Sequence, residues 1–272
     1  MLNDPADRGP LIEEEPASPQ YEWDKRHFAF VTLWSGNETG LRVLEWLATA
    51  DVPPNSVLYW VDNSDGRMTG HLRLEWERRL SRRFLKLVWI DGGGSYRAAP
   101  GEHLLKVGRH LHVADLYNLV FPRIFEEIVV TLEDDIVPPP EGVRTLLRVL
   151  VESGRTGMVA GVYRNRVSPT DICATLSERL WRDAPRYDSL PAEPFEVGMS
   201  GGGFALIPNR ALQQALPLRC ATAGQYVLLG WDGNFGKDLA ALGFRRMVHP
   251  GVRCAHLCRE VADYEATLAR RV

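Results

Sequence analysis

The fold of this chain is decided by residues 128–140, which read Ile-Val-Val-Thr-Leu-Glu-Asp-Asp-Ile-Val-Pro-Pro-Pro. The apolar, β-branched start of this run predicts a strand that is buried on both faces. Because the three prolines cannot continue a strand ladder, Glu133, Asp134 and Asp135 should emerge at the carboxyl end of that strand. Open α/β sheets bind their ligands at this end of their strands.

Three adjacent carboxylates repel one another unless a positive partner lies among them. Carboxylate oxygens are preferred ligands of Mg²⁺ and Mn²⁺, which commonly bridge a protein to the phosphates of a ligand. The triplet at 133–135 therefore predicts a site for Mn²⁺ or Mg²⁺ and a phosphorylated ligand. A solvated acidic turn is the alternative interpretation.

Length and composition set wider limits. The chain has 272 residues and a formal net charge of -3, so it fits one large or two small α/β domains and carries no overall charge that demands nucleic acid or an anionic membrane. No apolar run approaches the ~20 residues of a membrane span. Its first residues lack the pattern of a signal peptide, which predicts a cytoplasmic location. Four cysteines, too few for a disulfide scaffold, suit a reducing compartment.

The first half of the chain alternates strand and helix patterns. Residues 1–22 carry four prolines among acids and small residues, which predicts a flexible leader. From residue 23 onward, the predicted strands at 27–34, 56–61 and 85–90 are separated by amphipathic helices. The second and third strands also end in acids, Asp62 and Asp91. This alternation predicts a parallel sheet.

The second half has a different pattern. Residues 164–197 are rich in Arg, Pro, Asp and Trp with weak periodicity, which predicts a substrate loop. Glycines at 198 and 201–203 directly precede a short apolar strand, and glycine there permits close approach of a ligand to the backbone. Residues 229–236 (Leu-Gly-Trp-Asp-Gly-Asn-Phe-Gly) then lead into a predicted helix at 237–242.

The order of these motifs resembles the family-2-like glycosyltransferases with the A-type nucleotide-diphosphosugar transferase fold. The resemblance extends from about Phe28 to His256. It implies a single α/β domain whose mostly parallel, Rossmann-like sheet is flanked by helices. Residues 23–141 would form the nucleotide-sugar donor half, and residues 142–272 the acceptor half of the same domain.

The resemblance also implies roles for individual residues. Asp135 would be a metal ligand, Glu133 would lie near the ribose or the metal, and His256 would complete the metal shell. Asp232 lies where the family places its general base, and Asp62 resembles the acid that contacts the base or ribose of the donor. The residues predicted to bind the nucleotide sugar are Asp62, Asp91, Asn118, Glu133, Asp134, Gly202, Gly203 and Trp231.

Two departures from the family pattern stand out. Trp231 precedes Asp232 where the family commonly has Glu, and its ring is a candidate stacking platform for a sugar or a base. Tyr117 precedes Asn118 where the family has Arg, which leaves the positive partner of the diphosphate unassigned. Three basic residues are candidates for that role: Arg97, Lys106 and Arg109.

Two other patterns in the sequence could form a binding site. The spacing Cys254-x-His256-x-Cys258 invites a zinc site, but structural zinc sites need four ligands, and Cys173 and Cys220 do not form a second close pair. The substrate-loop region is also rich in basic and aromatic residues that suit a polyanion, with surface solvation as the alternative. These residues are Tyr163, Arg164, Arg166, Arg179, Trp181, Arg182, Arg186 and Tyr187.

The sequence therefore predicts a metal-dependent glycosyltransferase that moves a sugar from a nucleoside diphosphate, UDP in the first instance, to an acceptor hydroxyl with inversion. Nucleotidyl transfer on the same fold is one alternative, although it would need a basic, glycine-rich loop after the first strand. A non-catalytic module that binds carbohydrate or nucleic acid is the other. The acceptor stays open among saccharides, lipid-linked glycans, proteins, small molecules and modified nucleic-acid bases.

Overall fold

The computed structural model describes residues 23–64, 66, 70–94, 107–178, 183–223 and 226–270. The predicted leader at 1–22 lies outside these ranges. Among the described residues, the elements of the first half are β1 (Phe28–Trp34), α1 (Glu38–Thr49), β2 (Ser56–Asp62), α2 (Gly70–Leu80), β3 (Lys86–Asp91), α3 (Val107–Val120), β4 (Ile128–Glu133) and β5 (Ile136–Val137). Strands and helices thus alternate as the sequence pattern predicted.

The second half has shorter strands and longer connections. Its elements are α4 (Gly142–Glu152), β6 (Thr156–Val162), β7 (Ala174–Thr175), β8 (Phe195–Glu196), β9 (Met199–Ser200), β10 (Phe204–Pro208), α5 (Asn209–Gln214), β11 (Ala221–Ala223), β12 (Tyr226–Leu229), α6 (Trp231–Ala241), β13 (Arg245–Arg253), β14 (Ala255–His256) and α7 (Arg259–Ala269). No helix in the described ranges has the length and apolar character that crossing a membrane requires.

Both halves contribute strands to one central sheet. Its eight strands lie in the order β3-β2-β1-β4-β10-β6-β13-β8. The pairs β3–β2, β2–β1, β1–β4 and β6–β13 are parallel, whereas β10 runs antiparallel to both of its neighbours, β4 and β6. Since β10 runs in the opposite direction, the glycines before it lie at the same sheet edge as the carboxyl ends of β1, β2, β3, β4, β6 and β13.

Apolar side chains cover both faces of this sheet. All seven residues of β1 are buried, with Phe28 and Phe30 in one cluster and Ala29 and Val31 in the other. Successive side chains of a strand point to opposite faces, so an uninterrupted apolar strand supplies both layers at once. The polar residues at the strand ends have no place in either layer and therefore lie at the edge.

Helix α6 begins at Trp231, whereas the sequence predicted a helix over 237–242. Two glycines, Gly233 and Gly236, lie in the first turns of this helix. In the structure they are packing residues: a Cβ on Gly233 would overlap the side chain of Leu229, and one on Gly236 would lie 3.3 Å from the Gly198 carbonyl. The longer helix places Asp232 in its first turn.

Candidate active site

The three acids after β4 have three different environments. Glu133 is the last residue of the strand, and its N–H donates to the carbonyl of Gly203 across the sheet, at 2.9 Å. Burial, reinforced by the negative charges of Asp135 and Asp232, raises the pKa of Glu133 to about 8. Glu133 is therefore a weaker acid than an exposed glutamate, and a cation in the site would favour its ionised form.

Asp134 folds back toward the end of β1. Its Oδ2 accepts hydrogen bonds from the N–H of Ser35, at 2.7 Å, and from the Ser35 hydroxyl. Burial raises the pKa of Asp134 to about 6, although the Ser35 hydrogen bonds oppose that rise. Asp134 was predicted to bind the nucleotide sugar. In the structure, its Oδ2 links the turn after β4 to the turn after β1.

Asp135 is paired with two basic side chains. Its Oδ2 lies 2.6 Å from Nη2 of Arg166 and 3.4 Å from Nε2 of His256. Burial alone would raise the pKa of Asp135, but the His256 and Arg166 partners outweigh it and hold the pKa below its usual range. Asp135 is therefore ionised at neutral pH.

His256 reaches Asp135 through a short antiparallel strand pair. Within β14 and β5 it lies opposite Ile136, the residue that follows Asp135. Its Nδ1 donates to the Arg164 carbonyl at 2.7 Å, which directs Nε2 toward the carboxylate. Burial opposes protonation, yet Asp135 and Cys258 raise the pKa of His256 to about 10. A metal at Nε2 would have to displace that proton.

The predicted metal ligands are only partly brought together. Within the described ranges, no three His, Cys, Asp or Glu side chains are arranged to hold a metal ion, so the full set of Glu133, Asp135 and His256 is not assembled. Asp135 and His256 do meet, and one carboxylate plus one oriented imidazole fits a Mn²⁺ or Mg²⁺ ion that takes its other ligands from water and a diphosphate.

Arg166 is the functional candidate whose position the sequence did not predict. The sequence pattern assigns Arg166 to the basic residues of the substrate loop. In the structure, its guanidinium forms an ion pair with Asp135. Since Arg166 follows an irregular segment rather than a strand end, no local pattern marks it. The sequence indicates only that three adjacent acids need a positively charged partner, and not which residue supplies it.

Asp232 lies in the first turn of α6, half-buried beside the glycine-rich turn. The N–H of Gly233 donates to its Oδ1 at 2.8 Å, and the N–H of Gly202 also donates to the carboxylate. Burial raises the pKa of Asp232, while these donors and the charge of His110 oppose the rise. Asp232 is near enough to Glu133 to raise the pKa of that residue, which places both acids in one site.

The neighbouring Trp231 is part of the core and not an open platform. Its side chain is 3% exposed and its ring centroid lies 4.6 Å from that of Tyr117. A Cβ on Gly202 would overlap its indole ring, and one on Gly203 would lie 2.8 Å from the Tyr163 hydroxyl. The glycines predicted to admit a ligand therefore admit Trp231 and Tyr163, and the stacking role predicted for Trp231 does not fit this packing.

Asp62 and Asp91 lie side by side at the ends of β2 and β3, in register. Each uses Oδ1 to accept a backbone N–H two residues ahead, from Ser64 at 3.0 Å and from Gly93 at 2.8 Å. These hydrogen bonds stabilise the two turns and use one oxygen of each carboxylate. Asp62 is half-buried and Asp91 is exposed.

Asn118 is engaged with the backbone. Its Nδ2 donates to the Leu218 carbonyl at 2.8 Å, and its Oδ1 accepts the Leu218 N–H at 2.7 Å. Both ends of the amide are used, so in this structure Asn118 holds the segment before β11 instead of facing the acids. This arrangement gives the predicted nucleotide-binding role of Asn118 no support.

Several predicted residues cannot be placed. Arg97, Lys106, Arg179, Trp181 and Arg182 lie outside the described residues, as does the side chain of Arg109. Of the other basic and aromatic residues in the loop, Tyr187 packs between two guanidinium groups, with Arg164 4.1 Å and Arg253 4.7 Å from its ring centroid. Arg186 pairs with Asp171 at 3.6 Å.

Comparison with known proteins supports the fold. No protein-family model matches the chain, and no curated protein matches it. Among solved structures it is similar to the mannosyltransferase PcManGT from Pyrobaculum calidifontis in complex with GDP-Man and Mn²⁺, with a TM-score of 0.56 and 16% identity, over 85% of this chain and 57% of that one. It is also similar to A197 from STIV, with a TM-score of 0.50 and 14% identity, over 86% of this chain and 87% of that one. The α/β fold predicted from the sequence is thereby confirmed.

Proposed function

We propose that the protein is a metal-dependent glycosyltransferase that moves a sugar from a nucleoside diphosphate to an acceptor hydroxyl with inversion. The observation that carries this proposal is the meeting of Asp135 and His256 at the sheet edge where Asp232 also lies. A pair of metal ligands and a separate, half-buried carboxylate are the two groups that such a transfer needs. The similarity to a mannosyltransferase fold agrees with this assignment.

Asp135 and His256 would hold the divalent cation. That ion would supply Lewis-acid stabilisation of the departing nucleoside diphosphate. The protein's own contribution is to fix the ligands: the Arg164 carbonyl orients His256, and the β5–β14 pair keeps it beside Asp135. Preset ligands reduce the reorganisation needed when the donor binds.

Asp232 would act on the acceptor. As the acceptor oxygen attacks the anomeric carbon, its proton moves to the Asp232 carboxylate. Burial makes this carboxylate a stronger base than an exposed Asp, because the raised pKa brings it closer to that of the group it deprotonates. A single base on the side opposite the leaving diphosphate corresponds to inversion.

Asp62 and Asp91 would bind the nucleoside. Their outer oxygens can accept hydrogen bonds from ribose hydroxyls or from the base, and their turns hold them at adjacent strand ends. Such contacts suit uridine and guanosine alike. UDP is the donor nucleotide that we propose from the sequence, and the GDP-Man in the similar mannosyltransferase makes GDP the comparison to test.

Binding and product analysis test the proposal together. In titration calorimetry, UDP or GDP should bind the protein with Mn²⁺ and lose that binding with EDTA. In a second assay, UDP- and GDP-sugars incubated with mixed acceptors should release nucleoside diphosphate. Release of pyrophosphate from a nucleoside triphosphate and a sugar 1-phosphate would instead identify a nucleotidyltransferase, and absence of both products with all acceptors would leave only a binding module.

Replacement of His256 by Ala should weaken the protein's use of metal. We expect the Mn²⁺ concentration for half-maximal activity to rise by about tenfold or more, because one of two protein ligands is lost, while activity at saturating Mn²⁺ recovers in large part. His249→Ala is the matched control, since that histidine lies on β13 and its ring bonds the nearby Gly251 N–H. A loss of activity that is the same at all Mn²⁺ concentrations would contradict metal ligation by His256.

A further inference from the structure

Arg166 and a bound metal would compete for the same atom. The carboxylate oxygen Oδ2 of Asp135 lies 2.6 Å from Nη2 of Arg166 and 3.4 Å from Nε2 of His256. A divalent cation held by Asp135 and His256 would lie within a few ångströms of this guanidinium. Positive charges at that separation repel strongly in a partly buried site. Arg166 must therefore leave Asp135 when a metal takes its place.

The backbone around Arg166 is fixed, while its side chain can turn. The preceding Arg164 is buried, and its guanidinium donates to the Pro169 carbonyl at 2.8 Å and to Asp188 at 3.1 Å. Asn165 accepts the Val167 N–H at 2.8 Å. The side chain of Arg166 is itself 34% exposed, so a change of rotamer can redirect its guanidinium without moving the loop.

Among the described residues, Arg166 is the guanidinium paired directly with the acidic cluster, through Asp135. The nearby Arg164 is occupied with Asp188 and Pro169, and Arg186 with Asp171. Displaced from Asp135, Arg166 would remain beside the metal, where the negatively charged diphosphate of the donor must lie.

We propose that Arg166 is the positively charged partner of the donor diphosphate and that it stays paired with Asp135 until the metal binds. This inference rests on the proposed function. In the metal-free protein Arg166 neutralises Asp135; with metal bound, its planar guanidinium turns to the phosphate oxygens, which it can bind with two parallel hydrogen bonds. The site thus exchanges the pairing of Asp135 with Arg166, together with the proton of His256, for pairings with the metal and the diphosphate.

Arg166→Gln tests the exchange through two binding constants that should move in opposite directions. By titration calorimetry, Mn²⁺ alone should bind the variant about fivefold to tenfold more tightly than the parent, because its competitor is gone. At saturating Mn²⁺, UDP or GDP should bind the variant at least about tenfold more weakly, because a charged hydrogen-bond donor to phosphate is lost. Arg166→Lys should restore part of the nucleotide affinity.

Arg186→Gln is the matched control, because it removes the same charge from the same loop but from a pair with Asp171. It should leave both constants within about twofold of the parent. If Arg166→Gln weakens both Mn²⁺ and nucleotide binding, the residue supports the loop and the proposal is wrong. If Mn²⁺ binding tightens and nucleotide binding does not fall, Arg166 only competes with the metal, and its diphosphate role is refuted.

The parent protein separates this inference from the proposed function. A parent that binds neither UDP nor GDP with Mn²⁺ refutes the proposed function, and the inference is refuted with it. A parent that binds Mn²⁺ and nucleotide, together with an Arg166→Gln variant that matches it in both constants, refutes the inference alone. Circular dichroism of each variant verifies that the fold is kept.

Discussion

Replacement of Asp232 by Asn is expected to lower kcat by roughly 10²- to 10⁴-fold while donor binding is retained. Asparagine keeps the size of the side chain and an oxygen for the Gly233 N–H, which donates at 2.8 Å in the parent. It cannot accept the proton of the acceptor hydroxyl. The loss should therefore appear in turnover and not in the dissociation constant of the nucleoside diphosphate, which calorimetry measures separately.

The pH profile of the parent adds an independent measurement. Because Asp232 must be ionised to act as a base, kcat should rise with pH, and because burial raises its pKa, the rise should be centred above the usual Asp range. The variant should lack this rise. Asp238→Asn is the matched control: it lies on the same helix and pairs with Arg219 at 2.5 Å. Near-parental turnover of Asp232→Asn with the true acceptor would refute the base assignment.

Replacement of Asp135 by Ala is expected to abolish Mn²⁺-dependent binding of nucleoside diphosphate, with an affinity loss of at least about 100-fold. The carboxylate is the only acidic ligand that the structure places beside His256 among the described residues. Without it, one imidazole is left to hold the metal, and Arg166 loses the carboxylate with which it pairs. Calorimetric titration of UDP and GDP with Mn²⁺ and with EDTA measures the loss.

Asp51→Ala controls for the loss of an ion pair as such. Asp51 accepts a hydrogen bond from Arg144 at 2.7 Å, much as Asp135 does from Arg166, but on a different part of the surface. This control should bind nucleotide as the parent does. Asp135→Asn, which keeps the shape of the side chain, guards against a folding defect in the Ala variant. If either Asp135 variant binds nucleotide with parental, metal-dependent affinity, the metal assignment is wrong.

The strand ends were the predictable part of this molecule. The apolar run before Glu133 forms β4, and Asp62 and Asp91 end β2 and β3, as the sequence indicated. A buried strand can be recognised from consecutive residues, and its carboxyl end from the first polar residue after it. Because parallel strands end at one edge, these acids share an edge of the sheet in the structure.

Side-chain assignments within the site were less predictable. Asp134 bonds Ser35, Asn118 bonds the backbone of Leu218, and Trp231 is buried against Tyr117. Each partner is distant in the sequence, so nothing in the local pattern distinguishes a residue that faces a ligand from one that holds another segment. The helix predicted at 237–242 is shorter than α6, which begins at Trp231. The glycines in the first turns of α6 pack against residues outside the helix, and the local sequence does not show these contacts.

The sequence by itself determined the alternation of strands and helices in the first half, the strand ends that carry acids and the residue types suited to metal and phosphate. Only the tertiary structure decided which of those residues meet. Asp135 pairs with Arg166, which lies in a loop 31 residues away. The pairing of β14 with β5 brings His256 next to the same carboxylate. Secondary structure follows from short-range periodicity, whereas the direction of a side chain depends on long-range pairing and on the packing that remains once the core is filled.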